Sequence, residues 1–288
     1  MHSHSWLNLI MFVTVMALAA FLYIKPSLQE EESYKISSLA AEAVQHIRIT
    51  RQDTVIELSR SGNRWQMREP VQGRVNDVKV ERILEMLSAT SQHLLPPVNL
   101  SRYGLASPVL ELQVDQELFS FGDLAPITGE QYLATRQQVF LISPRYAAML
   151  PVLSTDLLDS KVFAEDEIPV EFELAHIHLK QEEHWQVNSP HVKQQALSQD
   201  ELNQWAQNWQ LVHASYLTLN SGKVGTDGEE ISIMLQDGRK IKLIAEQNES
   251  ELTLLREDEG IRYHFSSSIG KRLLDPFSIY KEQAAFTE

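Results

Sequence analysis

Apolar and polar residues alternate with period two over His46–Thr50 and Thr54–Leu58, the pattern of half-buried strands. Ser61-Gly62-Asn63 supplies turn chemistry, and a third strand starts at Trp65 and stops at Pro70. Asn76 then caps a helix whose apolar face is Val78, Val80, Ile83, Leu84 and Leu87. Two hairpins follow, Leu110–Val114 with Leu118–Phe121 and Gln131–Thr135 with Val139–Ile142. A short helix, Pro144–Leu150, leads to Leu157-Leu158-Asp159.

The same order returns later in the chain. Trp65-Gln66-Met67-Arg68-Glu69-Pro70 is echoed 120 positions on by Trp185-Gln186-Val187-Asn188-Ser189-Pro190, and His46-Ile47-Arg48-Ile49 is echoed, at a shorter spacing before its tryptophan, by His176-Ile177-His178-Leu179. Glu171–Leu179 reads as one opening strand, so a strand of the first copy is expected to be merged or missing in the second. Ser198-Gln199-Asp200-Glu201 has capping-box spacing and opens a helix with Leu202, Trp205, Ala206 and Trp209 on its apolar face. Ile231–Leu235 and Ile241–Leu243 flank Asp237-Gly238, a strong hairpin signal. Glu251–Arg256, Ile261–Phe265 and Leu273-Leu274-Asp275 close the second copy.

Before the repeats, Trp6–Ile24 is apolar except for Asn8 and Thr14 and ends at Lys25-Pro26. As a helix it would be roughly 28 Å long, close to the hydrocarbon thickness of a bilayer. Trp6 and Tyr23 sit where interfacial aromatics belong. A cleaved signal peptide is disfavoured, because the apolar run continues past Ala17-Leu18-Ala19 and no Lys or Arg precedes it. A buried core helix is disfavoured because its alternative face lacks polar residues. The expected fold class is thus α+β: an N-terminal transmembrane helix followed by two tandem copies of a mostly antiparallel sheet-plus-helix unit. The boundaries are 1–25 for the anchor, 26–43 for a tether, 44–165 for the first unit and 166–288 for the second. No Gly-rich phosphate loop or βαβ alternation is present.

Composition narrows the function. The net charge is −14 with no basic cluster to offset it, which argues against nucleic acid as a partner. The absence of cysteine removes disulfides, thiolate metal sites and a cysteine nucleophile.

The strand followed by Gly62 and Trp65, Pro70 four residues after Gln66, the helix from Asn76, and Tyr103-Gly104-Leu105 with Pro108 together resemble a bacterial family known only as a domain of unknown function. The resemblance covers most of residues 44–163 and, more weakly, the second copy, where the Gly-rich loop Ser221–Gly228 replaces the Tyr-Gly-Leu element. Members often carry an N-terminal anchor, and some are encoded beside ABC-transporter components of the gliding-motility type. The resemblance implies a body outside the cytoplasm, held at the inner membrane by a single pass, and a transporter partner. It supplies no catalytic residues.

Each candidate site competes with a plainer reading. His176 and His178, two apart on one expected strand, could share a metal with His184, His191, His213 or His264, but only His46 matches them in the first copy. Trp65 and Trp185 read better as matching core anchors than as a ligand groove. Trp205 and Trp209, four apart on a helix, are core residues if their helix is covered and a docking surface if it is exposed. Asp159 and Asp275 would form a carboxylate pair only if the two units met end to end. We expect no catalytic, cofactor or metal residues. The expected function is a non-catalytic, membrane-anchored accessory or scaffold protein of an envelope complex, with the bilayer contacting Trp6–Ile24. The alternative is an envelope module that binds a glycan, peptide or lipid between the units. A hydrolase requires a histidine and a carboxylate meeting in a pocket.

Overall fold

The computed structural model describes residues 3–24, 33–189, 197–220, 222 and 228–278. Helix α1 (Ser3–Ile24) comes first. The strands then run β1 (Tyr34–Lys35), β2 (His46–Arg51), β3 (Thr54–Ser61), β4 (Arg64–Glu69) and β5 (Gly73–Arg74), followed by helix α2 (Asp77–Leu84). Next come β6 (Thr90–Ser91), β7 (Leu94–Leu95), β8 (Leu110–Val114), β9 (Glu117–Leu124), β10 (Gln131–Thr135) and β11 (Gln138–Ile142), then α3 (Arg145–Ala148). The rest is β12 (Pro169–Leu174), β13 (Ile177–Gln181), β14 (Trp185–Asn188), α4 (Gln199–Leu211), β15 (Tyr216–Leu219), β16 (Glu229–Leu235), β17 (Lys240–Gln247), β18 (Glu251–Arg256), β19 (Ile261–Ser266) and α5 (Ser267–Leu274).

These strands build three antiparallel sheets. A small one pairs β1 with β6. The first large sheet has the order β5-β4-β3-β2-β8-β9-β10-β11-β7, and the second β14-β13-β12-β16-β17-β18-β19-β15. Reading from β4 and from β14, the two orders correspond strand for strand, and β5 is an extra edge strand of the first. One helix, α2 or α4, is inserted at the same place in each path.

Two expectations need correction here. The α+β class gives the helices too much weight: the protein is mostly antiparallel sheet with few helices. The transmembrane helix at Trp6–Ile24 is also overturned, since among the described residues no helix is long and apolar enough to cross a membrane. Only residues 6–21 of α1 are described with their side chains. Trp6, Phe12 and Phe21 on it are exposed.

The repeat is in a different register from the one its sequence suggests. His176-Ile177-His178-Leu179 spans the turn into β13, the counterpart of β3, whereas His46–Ile49 lies in β2. The true partner of β2 is β12, so no strand is missing. The chain reverses at Ala175-His176, inside what reads as one continuous strand.

Alternation along β2 buries Ile47 and Ile49, and along β12 it buries Phe172 and Leu174. A single apolar core runs through both large sheets. The tryptophans that open β4 and β14 are both buried in it. Each is fixed in the same way. The Trp65 N–H donates to Asp77 Oδ1 (2.9 Å) and the Trp185 N–H to Gln199 Oε1 (2.8 Å), the first helical residue in each case. The outer face of the first sheet carries a smaller cluster of Tyr103, Leu105 and Val139, with Tyr103 packed 4.7 Å from the Tyr132 ring. Gly122 permits that approach, because a Cβ there would lie 2.1 Å from the Tyr103 carbonyl oxygen.

Candidate functional site

The two large sheets meet along β5, the segment 157–167 and the turn between β18 and β19. Main-chain bonds stitch them together: Asn76 N–H to Leu157 O (2.9 Å), Asp159 N–H to Arg74 O (2.9 Å) and Ala214 N–H to Ser160 O (2.8 Å). Beside this seam lies a cleft of about 740 Å³. Its walls are polar and of mixed charge, with Arg64, Arg74, Lys161 and Arg239 beside Asp77, Asp159, Glu165, Asp166 and Glu167, and with Trp65 and the His213 ring in its lining.

Two buried arginines hold the seam: Arg74, which lines the cleft, and Arg256, which bonds the lining residue Glu167. Arg74 Nε donates to Glu259 Oε1 (2.6 Å), and its Nη2 reaches Lys161 O (2.8 Å), Val162 O (3.0 Å) and Tyr263 Oη (3.0 Å). Asp159 faces its Nη1 at 3.4 Å. Arg256, with a side chain only 3% exposed, grips Glu167 in a two-pronged pair, each prong 2.7 Å. It also donates to Val162 O (2.7 Å) and Asp258 Oδ1 (3.0 Å). Glu167 accepts further bonds from the Ala164 N–H (2.8 Å) and Arg239 (3.3 Å).

Burial opposes the charge on both arginines. For Arg74 it is outweighed by Tyr263 and Glu259, and for Arg256 by Glu167 and Asp258, so both sit above the ordinary arginine value. Burial likewise pushes Glu167 up, but the Arg256 bond and the Ala164 N–H hold it below the usual glutamate range. Tyr263 is raised, by burial first and the Glu259 carboxylate second. The buried charges therefore neutralise one another, the condition under which such groups are tolerated inside a protein.

At the cleft rim, Ser160 Oγ lies 2.8 Å from His213 Nδ1. No carboxylate pairs with that histidine among the described residues, so the triad logic of an activated serine is incomplete. Elsewhere, His178 bonds Glu171 (2.7 Å) and His176 stands in the turn, not beside it on a strand. His264 bonds Thr218 (2.9 Å) and Thr253 (3.2 Å). His191 and most of the loop Ser221–Gly228 fall outside the described residues. Among the described residues no three His, Cys, Asp or Glu side chains could hold a metal.

Trp205 and Trp209 are buried, not presented as a docking face. Their indoles donate to Arg272 O (2.9 Å) and Leu273 O (3.1 Å) and surround Phe172. Asp159 faces Arg74 while Asp275 accepts from the Phe277 N–H, so the two are not a pair. Sequence reading missed Arg74, Arg256, Glu167 and Glu259. Its only available signal was the charged stretch Arg256-Glu257-Asp258-Glu259-Gly260, which reads as a solvated turn.

Residues 65–214 match a protein family described only as a domain of unknown function, DUF4340. The match spans 150 of the 288 residues, just over half of the chain. The chain belongs to this family. The DUF4340 match begins at Trp65, ends at Ala214 and crosses the seam, so it takes in β4 to α4, unlike the 44–163 span of the resemblance. No curated protein and no solved structure matches the chain.

Proposed function

We propose that this DUF4340 protein is a non-catalytic accessory or scaffold component of a bacterial envelope complex. An ABC-type transporter is the partner that the family resemblance suggests. The observation that carries this reading is the seam. Its arginines and carboxylates are spent on one another, and one core runs through both sheets, which suits a rigid body that offers surface more than reactive groups. Affinity capture of the full chain from gently solubilised envelopes tests it. The reading predicts recovery with stoichiometric partner subunits that include a transporter component; recovery of the protein alone would count against it.

A second reading, ligand binding between the sheets, is favoured by the 740 Å³ cleft. Its mixed charge and scarcity of aromatics fit a small polar ligand better than a glycan stacked on rings. Substituting Arg64 and Lys161, which line the cleft, should leave partner capture intact if the scaffold reading is right and reduce ligand uptake if the second is.

A further inference from the structure

The first large sheet departs from the second at one end of its core. From the last residue of β11, Ile142, to Asp159 is 17 positions; from the last residue of β19, Ser266, to Asp275 is 9. In the second sheet the shorter path is the single helix α5, which closes the core with Leu273 and seats Gly270 so near Leu252 that an added Cβ would lie 2.5 Å from it. In the first, the longer path forms α3, an irregular bend and a 3-10 turn at Ser154–Leu157, and leaves a cavity of about 360 Å³. Its walls are mostly apolar, with Val109, Leu110, Phe121, Ala147, Leu150 and Val152, and one amide, Gln131, whose Nε2 is taken up by the Gly122 carbonyl (3.0 Å).

One charged side chain stands among them. Arg51 ends β2, in line with the core residues Ile47 and Ile49, and reaches into this cavity. Its counterpart, the last residue of β12, is Leu174, buried as the pattern requires. Arg51 donates Nε to Pro151 O (3.3 Å) and Nη2 to Leu150 O (3.4 Å), both long bonds to main-chain carbonyls. It pairs with no carboxylate among the described residues. A guanidinium has five N–H donors, and a half-buried one in an acidic chain without a counter-charge is poised to take an anion. Mostly apolar walls with a few polar groups, here the Arg51 guanidinium and the Gln131 amide, are the usual make-up of a small-ligand pocket. Outside it, Val109, Val152 and Leu153 extend the apolar surface into solvent.

We infer that this cavity binds an apolar chain ending in a carboxylate, with Arg51 holding the carboxylate and the Val109–Val152 walls holding the chain. A free fatty acid and the C-terminal residue of a partner polypeptide share this chemistry. The inference does not depend on the accessory role proposed above, because it concerns a different part of the molecule.

The test uses the full chain and four probes: octanoate, octanol, a short peptide ending in leucine as the free acid, and the same peptide amidated. Saturable binding is read from backbone amide shifts at Val109, Ala147 and Val152. Octanoate or the peptide acid should bind at least about tenfold more tightly than its neutral counterpart, the value of one charged hydrogen-bonded contact. Whichever acid binds names the source. Arg51→Leu, which installs the second sheet's residue, should remove that preference without loss of fold. Ala148→Phe, which fills the mouth, should abolish binding if Arg51→Leu proves unstable. Absence of saturable binding by both acids, equal binding of the neutral probes, or acid binding undiminished in either folded variant would overturn the inference.

Discussion

The two large sheets follow the same strand path, yet they fill and close their cores by different means. The second packs Phe172 among Trp185, Trp205 and Trp209, and α5 closes its end. The first uses aliphatic residues, Ile47, Ile49, Ile56 and Leu58, along the matching strands, and its end stays open around Arg51. The shared path shows what the fold demands: alternating burial, one inserted helix, and a tryptophan pinned to that helix. The differences show where the chain is free to specialise.

The largest expected effect is in the aromatic core. Trp209→Ala should cost about 4 kcal/mol in urea unfolding, whereas Ile49→Val in the first sheet should cost about 1 kcal/mol. Equal losses would deny that the second core depends on its rings. Next comes the seam. Glu167→Ala removes the two-pronged buried partner of Arg256, leaving it the exposed Asp258, and should cost about 3 kcal/mol. Because the Glu167 carboxyl is held below its ordinary value, its contribution is full above the unfolded glutamate pKa and fades as the pH falls through the folded one. The acid limb of a stability–pH curve should therefore flatten in Glu167→Gln.

Gly122→Ala comes third. It should cost about 2 kcal/mol, because its methyl group meets the Tyr103 carbonyl; the corresponding stretch of β17 needs no such gap. Smallest is the duplicated pin. Asp77→Ala and Gln199→Ala each remove the acceptor of a tryptophan N–H and should each cost about 1 kcal/mol. A loss in one copy alone would show that the two pins are not equivalent.

Much of the strand sequence is legible because period-two alternation and turn chemistry are local signals. The hairpin at Asp237-Gly238 and the helix caps at Asn76 and Ser198 are of this kind, with Asn76 accepting from the Lys79 N–H and Ser198 from the Glu201 N–H. The turn at Ala175-His176 was hidden because neither residue is a turn former, so β12 and β13 ran together on the page and shifted the repeat by one strand. The seam was illegible for a different reason. Arg74 and Glu259 are 185 positions apart, and no local pattern distinguishes a charge that will be buried and paired from one that stays in water. Arg51 shows the remaining limit: its anomaly emerges only when β12 supplies Leu174 as its counterpart.

Hydrogen exchange along a urea titration tests most directly whether the sheets form one body across the Arg74–Glu259 and Arg256–Glu167 seam. Amides of β9–β10 and of β17–β18 should lose protection at a common midpoint in the unaltered chain, and at separate midpoints in Glu167→Ala. Separate midpoints in the unaltered chain would contradict the account.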